Sequence, residues 1–330
     1  CWITKHTLLM NNRLRIVFFG TPEFAKASLE AVFHSRHEVA AVVTVADKAS
    51  GRGQKITQSP VKIFAEEHHL PVFQPEKLRD ETFLQEIQNI GADIFVVVAF
   101  RMMPKVLFSM PKHGTFNLHA SLLPDYRGAA PINYAVINGE TQTGVTTFFI
   151  NEKIDEGNIL LQKSTEILPE DNAGTLHDRL MSIGAKLVVE TLDKIADGQI
   201  KEPPQPFVKK PKTAYKIFKE DTRIDWNRNA KEIHDFIRGM SPYPAAFTSL
   251  RINGEEKVLK IFKGTYQTEE TPEKAAGEIE ISKNSFRIFC KNGVYLPEEL
   301  QLEGKKRMNL KDFLNGFHSF EGIEIENSRT

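Results

Sequence analysis

Ile94-Phe95-Val96-Val97-Val98-Ala99 is the most strongly apolar run in the chain, and it shows no polar alternation. A strand with one wet face alternates, so a continuous run of largely β-branched residues needs cover on both faces, as a central strand of a parallel sheet has. Upstream, Ile16-Val17-Phe18-Phe19 reads as a second buried strand. Gly20-Thr21-Pro22-Glu23 follows as a turn into a helix, with Thr21 as N-cap and Pro22 at the first helical position. Val39–Val45 and Pro71–Gln74 read as strands, Ser59-Pro60 opens a helix, and Asp80 or Glu81 starts another that ends near Gly91. Downstream, Gly114–Leu118, Gly144–Ile150 and Ile159–Lys163 complete the strand set, and Thr175–Asp197 reads as a long amphipathic helix. Strands alternating with helices predict an α/β domain: an open, Rossmann-like, mostly parallel sheet.

After Gly198 the texture changes. Lys201-Glu202-Pro203-Pro204-Gln205-Pro206 and Lys209-Lys210-Pro211-Lys212 form a Pro-rich, basic stretch, expected to be extended and semi-rigid. One helix, Ala230–Gly239, is followed by short β-like runs at Val258–Phe262, Glu278–Ile281 and Phe286–Cys290, separated by Gly, Asn and Pro turns. That is the pattern of a small, OB-like β-barrel. The expected organisation is therefore a first domain over 10–198, a linker over 199–214 and a barrel domain over 215–330. Residues 1–9 lack an initiating Met and hold too short an apolar run for a signal peptide; Met10 reads as the natural start, and 1–9 are left out of the fold reasoning.

The 330 residues suit about two domains. Apolar residues make up 41% and charged residues 26%, which argues against a disordered, collagen-like or coiled-coil chain. Forty-three basic residues balance forty-three acidic ones, so no global field advertises a nucleic acid or a membrane. The balance splits along the chain: residues 209–330 hold 22 Lys plus Arg against 19 Asp plus Glu (+3), and residues 1–208 hold 21 against 24 (−3). Two cysteines, Cys1 and Cys290, exclude a disulfide framework and a Cys-rich zinc site and suit a reducing cytoplasm. No run approaches the ~20 apolar residues of a membrane span.

The first glycine turn argues against a nicotinamide cofactor. A dinucleotide fingerprint needs three glycines, whereas Gly20-Thr21-Pro22-Glu23-Phe24 has one and sets an acid where phosphate would lie. The chemistry gathers instead in Thr115-Phe116-Asn117-Leu118-His119-Ala120-Ser121-Leu122-Leu123-Pro124-Asp125-Tyr126-Arg127-Gly128. Asn117 and His119 stand two apart at a strand end, so they share one face at the sheet's carboxyl edge, where ligands of open α/β sheets bind. An amide can hold an oxyanion, and an imidazole can move a proton or add a second hydrogen bond. Asp155, in Glu152-Lys153-Ile154-Asp155-Glu156-Gly157, is a carboxylate that could accept from His119 and fix its tautomer. Taken alone, each element is better explained as a loop cap or a turn Asp.

Asn117-Leu118-His119-Ala120-Ser121-Leu122-Leu123-Pro124, with Tyr126-Arg127-Gly128-Ala129-Ala130-Pro131-Ile132, closely resembles the signature of the 10-formyltetrahydrofolate-dependent formyltransferases. Ile154-Asp155-Glu156-Gly157 resembles their second catalytic segment. Further resemblances lie in Phe19–Ala25, in Gly51-Arg52-Gly53-Gln54-Lys55 before Ser59-Pro60-Val61-Lys62, in Arg223–Trp226 and in Ile237–Ala245, and together they run from Met10 to about Leu314.

The resemblance implies the formyltransferase fold, with Asn117, His119 and Asp155 as catalytic residues and Ser121, Leu122, Leu123 and Pro124 packed against the folate. The formyl donor is then 10-formyltetrahydrofolate, no metal is required, and the acceptor is initiator methionyl-tRNA; a sugar nucleotide or water is the alternative acceptor. Arg52 and Lys55 are implied as tRNA contacts in the glycine loop. Lys209 and Lys210, in the basic connector, read equally as a solvated linker or as phosphate contacts of the tRNA, on a chain expected to be monomeric. One stretch departs from the pattern: Ala99-Phe100-Arg101-Met102-Met103-Pro104 is shorter than in relatives and has Arg101 where they have Gly. The folate-side contacts near it are the least transferable. Trp226 reads as a packing anchor rather than a stacking platform.

Overall fold

The computed structural model describes residues 12–50, 55–269 and 272–325. The glycine loop that holds Arg52 lies outside them. Two compact units emerge: Cys1–Gly128 with Thr143–Thr165 and His177–Thr213, and Ala129–Gln142 with Glu166–Leu176 and Ala214–Thr330.

In the first unit the strands are β1 (Arg15–Gly20), β2 (Glu38–Val43), β3 (Lys48–Ser50), β4 (Lys55–Thr57), β5 (Val72–Phe73), β6 (Ile94–Val98), β7 (Thr115–His119), β8 (Arg127–Gly128), β9 (Gln142–Phe149) and β10 (Ile159–Glu166). Seven of them form one sheet in the order β10-β9-β7-β6-β1-β2-β5. β6 is its middle strand, and all five of its residues are buried. It pairs in parallel with β1 on one side (Phe18 beside Val96) and with β7 on the other (Asn117 beside Val97). β9 adds an antiparallel extension beyond β7. The chain runs outward from β1 through β2 to β5, then returns to build β6 and β7 on the other flank. The strand order therefore reverses beside β1 and β6, and their carboxyl ends border the crevice where open sheets bind ligands.

The helices are α1 (Glu23–Phe33), α2 (Pro60–Glu67), α3 (Glu81–Ile90), α4 (Lys105–Phe108), α5 (Pro131–Ile137) and α6 (Ala173–Ala196). Ser59 caps α2 by accepting from the Lys62 N–H, and Asp80 caps α3 by accepting from the Phe83 N–H. α3 packs Phe83 and Ile87 against Phe95 and Val97 of the central strand. α1 corrects one expectation. Pro22, not Thr21, is its N-cap, and the Thr21 hydroxyl is buried without a partner among the described residues. Pro22, read as the first helical position, instead keeps extended backbone at ψ 179°, so the first helical residue is Glu23 and the cap falls on the proline.

The second unit carries β11 (Thr213–Ala214) at its margin, helix α7 (Ala230–Met240), strands β12 (Ala246–Ile252), β13 (Glu255–Thr268), β14 (Ile279–Ile281), β15 (Phe286–Cys290), β16 (Gly293–Leu302) and β17 (Met308–Asn309), helix α8 (Leu310–Asn315) and strand β18 (Glu324–Ile325). Its antiparallel sheet runs β14-β15-β16-β13-β12-β18 and curls into a nearly closed barrel. Register shifts between Ile261 and Gly264 bend β13 sharply, as bulges do. Trp226, Ile233, Ile237, Leu250, Tyr295 and Leu300 fill the interior, and the Trp226 indole donates to the Thr248 hydroxyl at 3.2 Å. Trp226 is a packing anchor. α5 belongs to this unit and lies on α7, where Gly239 leaves room: a Cβ there would sit 2.5 Å from Ile137 Cγ1.

His37 is buried, and His234 is half-buried with its Nδ1 enclosed. His37 accepts from the Leu14 N–H through Nδ1, and His234 packs against the Tyr266 ring at 5.1 Å between centroids. Burial pushes the pKa of each below the ordinary histidine value; for His37 a neighbouring Asp193 carboxylate pulls the other way and only partly offsets it. The unfolded chain therefore takes up protons at a higher pH than the folded one. Stability is whole above the ordinary value of about 6.5 and falls as pH drops below it. We expect a lower melting temperature at about pH 5.5 than at about pH 7.5, with the difference reduced in the His37→Gln, His234→Gln double variant. A melting temperature that stays level or rises on acidification would contradict this.

Candidate active site

The site is assembled where β7 runs out. Asn117 and His119 lie on one face of that strand, with Asn117 opposite Phe148 and His119 opposite Thr146 of β9. The Asn117 amide is half-buried and has no hydrogen-bond partner among the described residues. His119 is 8% exposed at its side chain. Its Nε2 sits 2.8 Å from the Tyr126 carbonyl oxygen. A carbonyl can only accept, so Nε2 carries the hydrogen and the neutral ring keeps its lone pair on Nδ1. Nδ1 faces Asp155 Oδ2 at 3.9 Å, too far for a direct hydrogen bond but close enough for Coulombic support of a proton arriving there. The histidine tautomer is thus held by the loop main chain and not by Asp155, as the sequence reading had it. Tyr126 adopts left-handed backbone (φ 60°), and its own N–H donates to the Lys212 carbonyl at 2.6 Å, which fixes that turn.

Asp155 is itself left-handed, at φ 53°, a conformation that short polar side chains tolerate best. Its Oδ2 accepts from the Gly128 N–H at 2.9 Å. Its carbonyl accepts from Gln205 Nε2 at 2.7 Å, and the same amide donates to the Gly157 carbonyl at 2.9 Å. The Gln205 oxygen in turn accepts from Arg127 Nη2 at 2.6 Å, while Arg127 Nη1 pairs with Glu156 at 3.1 Å. Gly157 closes the loop: a Cβ there would lie 1.5 Å from the Phe149 carbonyl oxygen, so no other residue fits without moving the main chain. Gln205 and Arg127 are the positioning residues that sequence reasoning did not single out. Gln205 lies in the Pro-rich stretch read as a connector, and a lone Gln carries no motif. Arg127 stood inside the quoted signature without a role.

The loop after His119 divides by exposure. Ser121 donates to the Asp125 carbonyl at 2.7 Å, and its own carbonyl accepts from the Thr146 hydroxyl at 2.7 Å. Gln162 donates to the Leu123 carbonyl at 2.9 Å. Ser121 and Leu123 are buried and spent on holding the loop, whereas Leu122 and Pro124 keep exposed surface. Among the described residues no group of three or more His, Cys, Asp or Glu is arranged to hold a metal ion, and no helix is long and apolar enough to cross a membrane.

Residues 14–192 match the family model described as "Formyl transferase", and residues 216–318 match "Formyl transferase, C-terminal domain". A methionyl-tRNA formyltransferase of Flavobacterium johnsoniae is 49% identical over 304 residues, spanning 92% of this chain and 96% of the relative. One from Parabacteroides distasonis is 50% identical over 314 residues, with the same two coverages. The chain belongs to the methionyl-tRNA formyltransferases. Among solved structures, the fold matches an N-formyltransferase from Helicobacter canadensis at a TM-score of 0.61 and 22% identity, over 86% of this chain and 99% of that one. It matches a sugar 3N-formyl transferase at 0.63 and 22%, over 89% and 99%.

The Arg101 departure has a visible local role. Arg101 Nη1 donates to the Glu76 carbonyl at 2.8 Å and Nη2 to the Pro75 carbonyl, so the side chain ties the segment after β6 to the β5–α3 connection. Lys55 lies in β4, paired with Ser50 of β3. The base of that hairpin is held by Lys62, which bonds Asp47 at 2.6 Å, while Gln74 donates to the other Asp47 oxygen at 2.8 Å. These two partners hold the Asp47 carboxyl below the usual range. Lys209 and Lys210 are exposed.

Proposed function

We propose that this chain moves a formyl group from 10-formyltetrahydrofolate to the α-amino group of methionine on initiator tRNA, with Asn117, His119 and Asp155 as its machinery. One observation carries the assignment of roles. His119 is locked with its hydrogen on Nε2 and its basic Nδ1 turned to Asp155, beside an uncommitted Asn117 amide at the carboxyl edge of the parallel strands. The unprotonated amine attacks the formyl carbon and the carbonyl oxygen gains negative charge; the amine sheds a proton, the oxyanion collapses as the formyl carbon–N10 bond breaks, and the departing N10 of the folate gains a proton. Asn117 donates to the oxyanion. His119 takes the proton at Nδ1 and, once charged, supports the same oxyanion before passing the proton on. Asp155 stabilises the charged ring through space, across the 3.9 Å between its Oδ2 and Nδ1.

Leu122 and Pro124 offer apolar surface for the flat rings of the folate, with Ser121 and Leu123 shaping the loop beneath them. Arg52, Lys55, Lys209 and Lys210 are read as tRNA contacts, Arg through its planar fork and Lys as point charges. The deciding experiment is an acid-urea gel of methionylated initiator tRNA after incubation with the enzyme and the folate donor. We expect a formylmethionyl-tRNA band that depends on the donor and is absent with elongator methionyl-tRNA. Formate release without that band, or transfer to an amino-sugar nucleotide in its place, would move the acceptor to water or sugar.

A further inference from the structure

A cavity of about 490 Å³ opens in the second unit, within the size range of small-ligand sites. Every residue that lines it belongs to that unit, and none of Asn117, His119 and Asp155 is among them. Its walls hold three cations, Lys216, Lys219 and Lys260, and three rings, Phe218, Tyr243 and Phe247, with no carboxylate. None of the three lysines has a carboxylate partner among the described residues; Lys216 Nζ lies 5.1 Å over the Phe218 ring instead. Tyr243 is 82% exposed and Phe218 51% exposed.

Each half of this lining would be explained by a simpler ligand, but the combination would not. Three ammonium groups without an ion-pair partner around one cavity repel one another and gain from an anion. Two aromatic rings left in water gain from a flat partner. A free phosphate needs no rings, and an apolar molecule needs no lysines. A nucleotide needs both, because its base stacks on any π-face and its phosphates take the cations, which is how single-stranded nucleic acid is held without sequence readout. Pro242 and Pro244 fix the backbone φ on either side of Tyr243, so presenting the ring costs little further ordering. The open rim at Tyr243 suits a base carried on a continuing chain better than a sealed mononucleotide.

We infer that this cavity takes one unpaired nucleotide of the tRNA, stacked on Tyr243 and Phe218 with its phosphates on Lys216, Lys219 and Lys260. The inference rests on the tRNA acceptor proposed above. Its test is the affinity of the full-length chain for unacylated initiator tRNA, read by fluorescence anisotropy across a salt series. Tyr243→Ala is expected to weaken binding about tenfold and Tyr243→Phe to restore it, since stacking needs the ring and not the hydroxyl. Lys216→Gln with Lys260→Gln is expected to reduce the slope of log Kd against log salt by about 0.7–0.9 per lysine. Unchanged affinity and slope in these variants would overturn the inference. So would adenosine monophosphate binding that Tyr243→Ala abolishes while tRNA affinity stays constant, which would assign the cavity to a free nucleotide. If the unmodified chain binds the tRNA, loses that binding in Tyr243→Ala and yet forms no formylmethionyl-tRNA, the cavity stands and the acceptor reading falls.

Discussion

Asn117→Ala is expected to lower the single-turnover rate of formyl transfer by about 10²–10³-fold, the usual cost of removing one oxyanion donor. The substitution isolates chemistry from folding. Asn117 is placed by its main chain, paired to Val97 on one side and Phe148 on the other, and Ala keeps both ladders. Its amide holds nothing else in place among the described residues, so truncation leaves no orphaned partner and no cavity in the core. The melting temperature should therefore stay near that of the unmodified chain while the rate collapses. If the amide instead only bound the ground state, the Michaelis constants would rise and the single-turnover rate at saturation would hold. A near-normal single-turnover rate in a folded Asn117→Ala protein would remove Asn117 from the machinery.

The sheet was legible because its central strand cannot be anything else. Ile94–Val98 has no polar side to show to water, and the order built around it follows from parallel strands with short connections. The barrel was less legible. β16 runs from Gly293 to Leu302 through Pro297, Glu298 and Glu299, which reads as a loop in sequence. In the structure Pro297 stands opposite Gly264, beside the register shift where β13 bends, so the hydrogen bond that proline cannot donate is not demanded there. The helix start at Glu23 was misplaced by one residue because proline is as compatible with an extended cap as with the first helical turn, and here Pro22 takes the extended backbone.

The site was legible in its residues but not in its wiring. Asn117 and His119 follow from a two-residue spacing on a strand, and Asp155 from the resemblance of its segment. No spacing in the sequence could reveal that the Tyr126 carbonyl would hold the imidazole. That contact is to main chain, and it depends on a left-handed turn at a tyrosine, a residue type with no preference for it. Gln205 is invisible for the same reason: fifty residues downstream of Asp155, it bonds carbonyl groups that every residue possesses.

That wiring makes Asp155→Asn the sharper probe of the pair. An Asn amide oxygen can still accept from the Gly128 N–H, and the bonds from Gln205 go to main-chain carbonyls that the substitution leaves untouched. The loop, the left-handed residue and the His119–Tyr126 hydrogen bond should all persist. What disappears is one negative charge, 3.9 Å from the ring nitrogen that must take up a proton. Were Asp155 only a loop fastener, Asn would be nearly neutral for the rate and Ala would be damaging. If it supports the charged imidazole, Asn and Ala should be similarly slow, by about 10²-fold or more, with Asn alone keeping the unmodified melting temperature. The Asn-to-Ala ratio of single-turnover rates therefore distinguishes an electrostatic role from an architectural one, because the two substitutions differ in geometry and agree in charge.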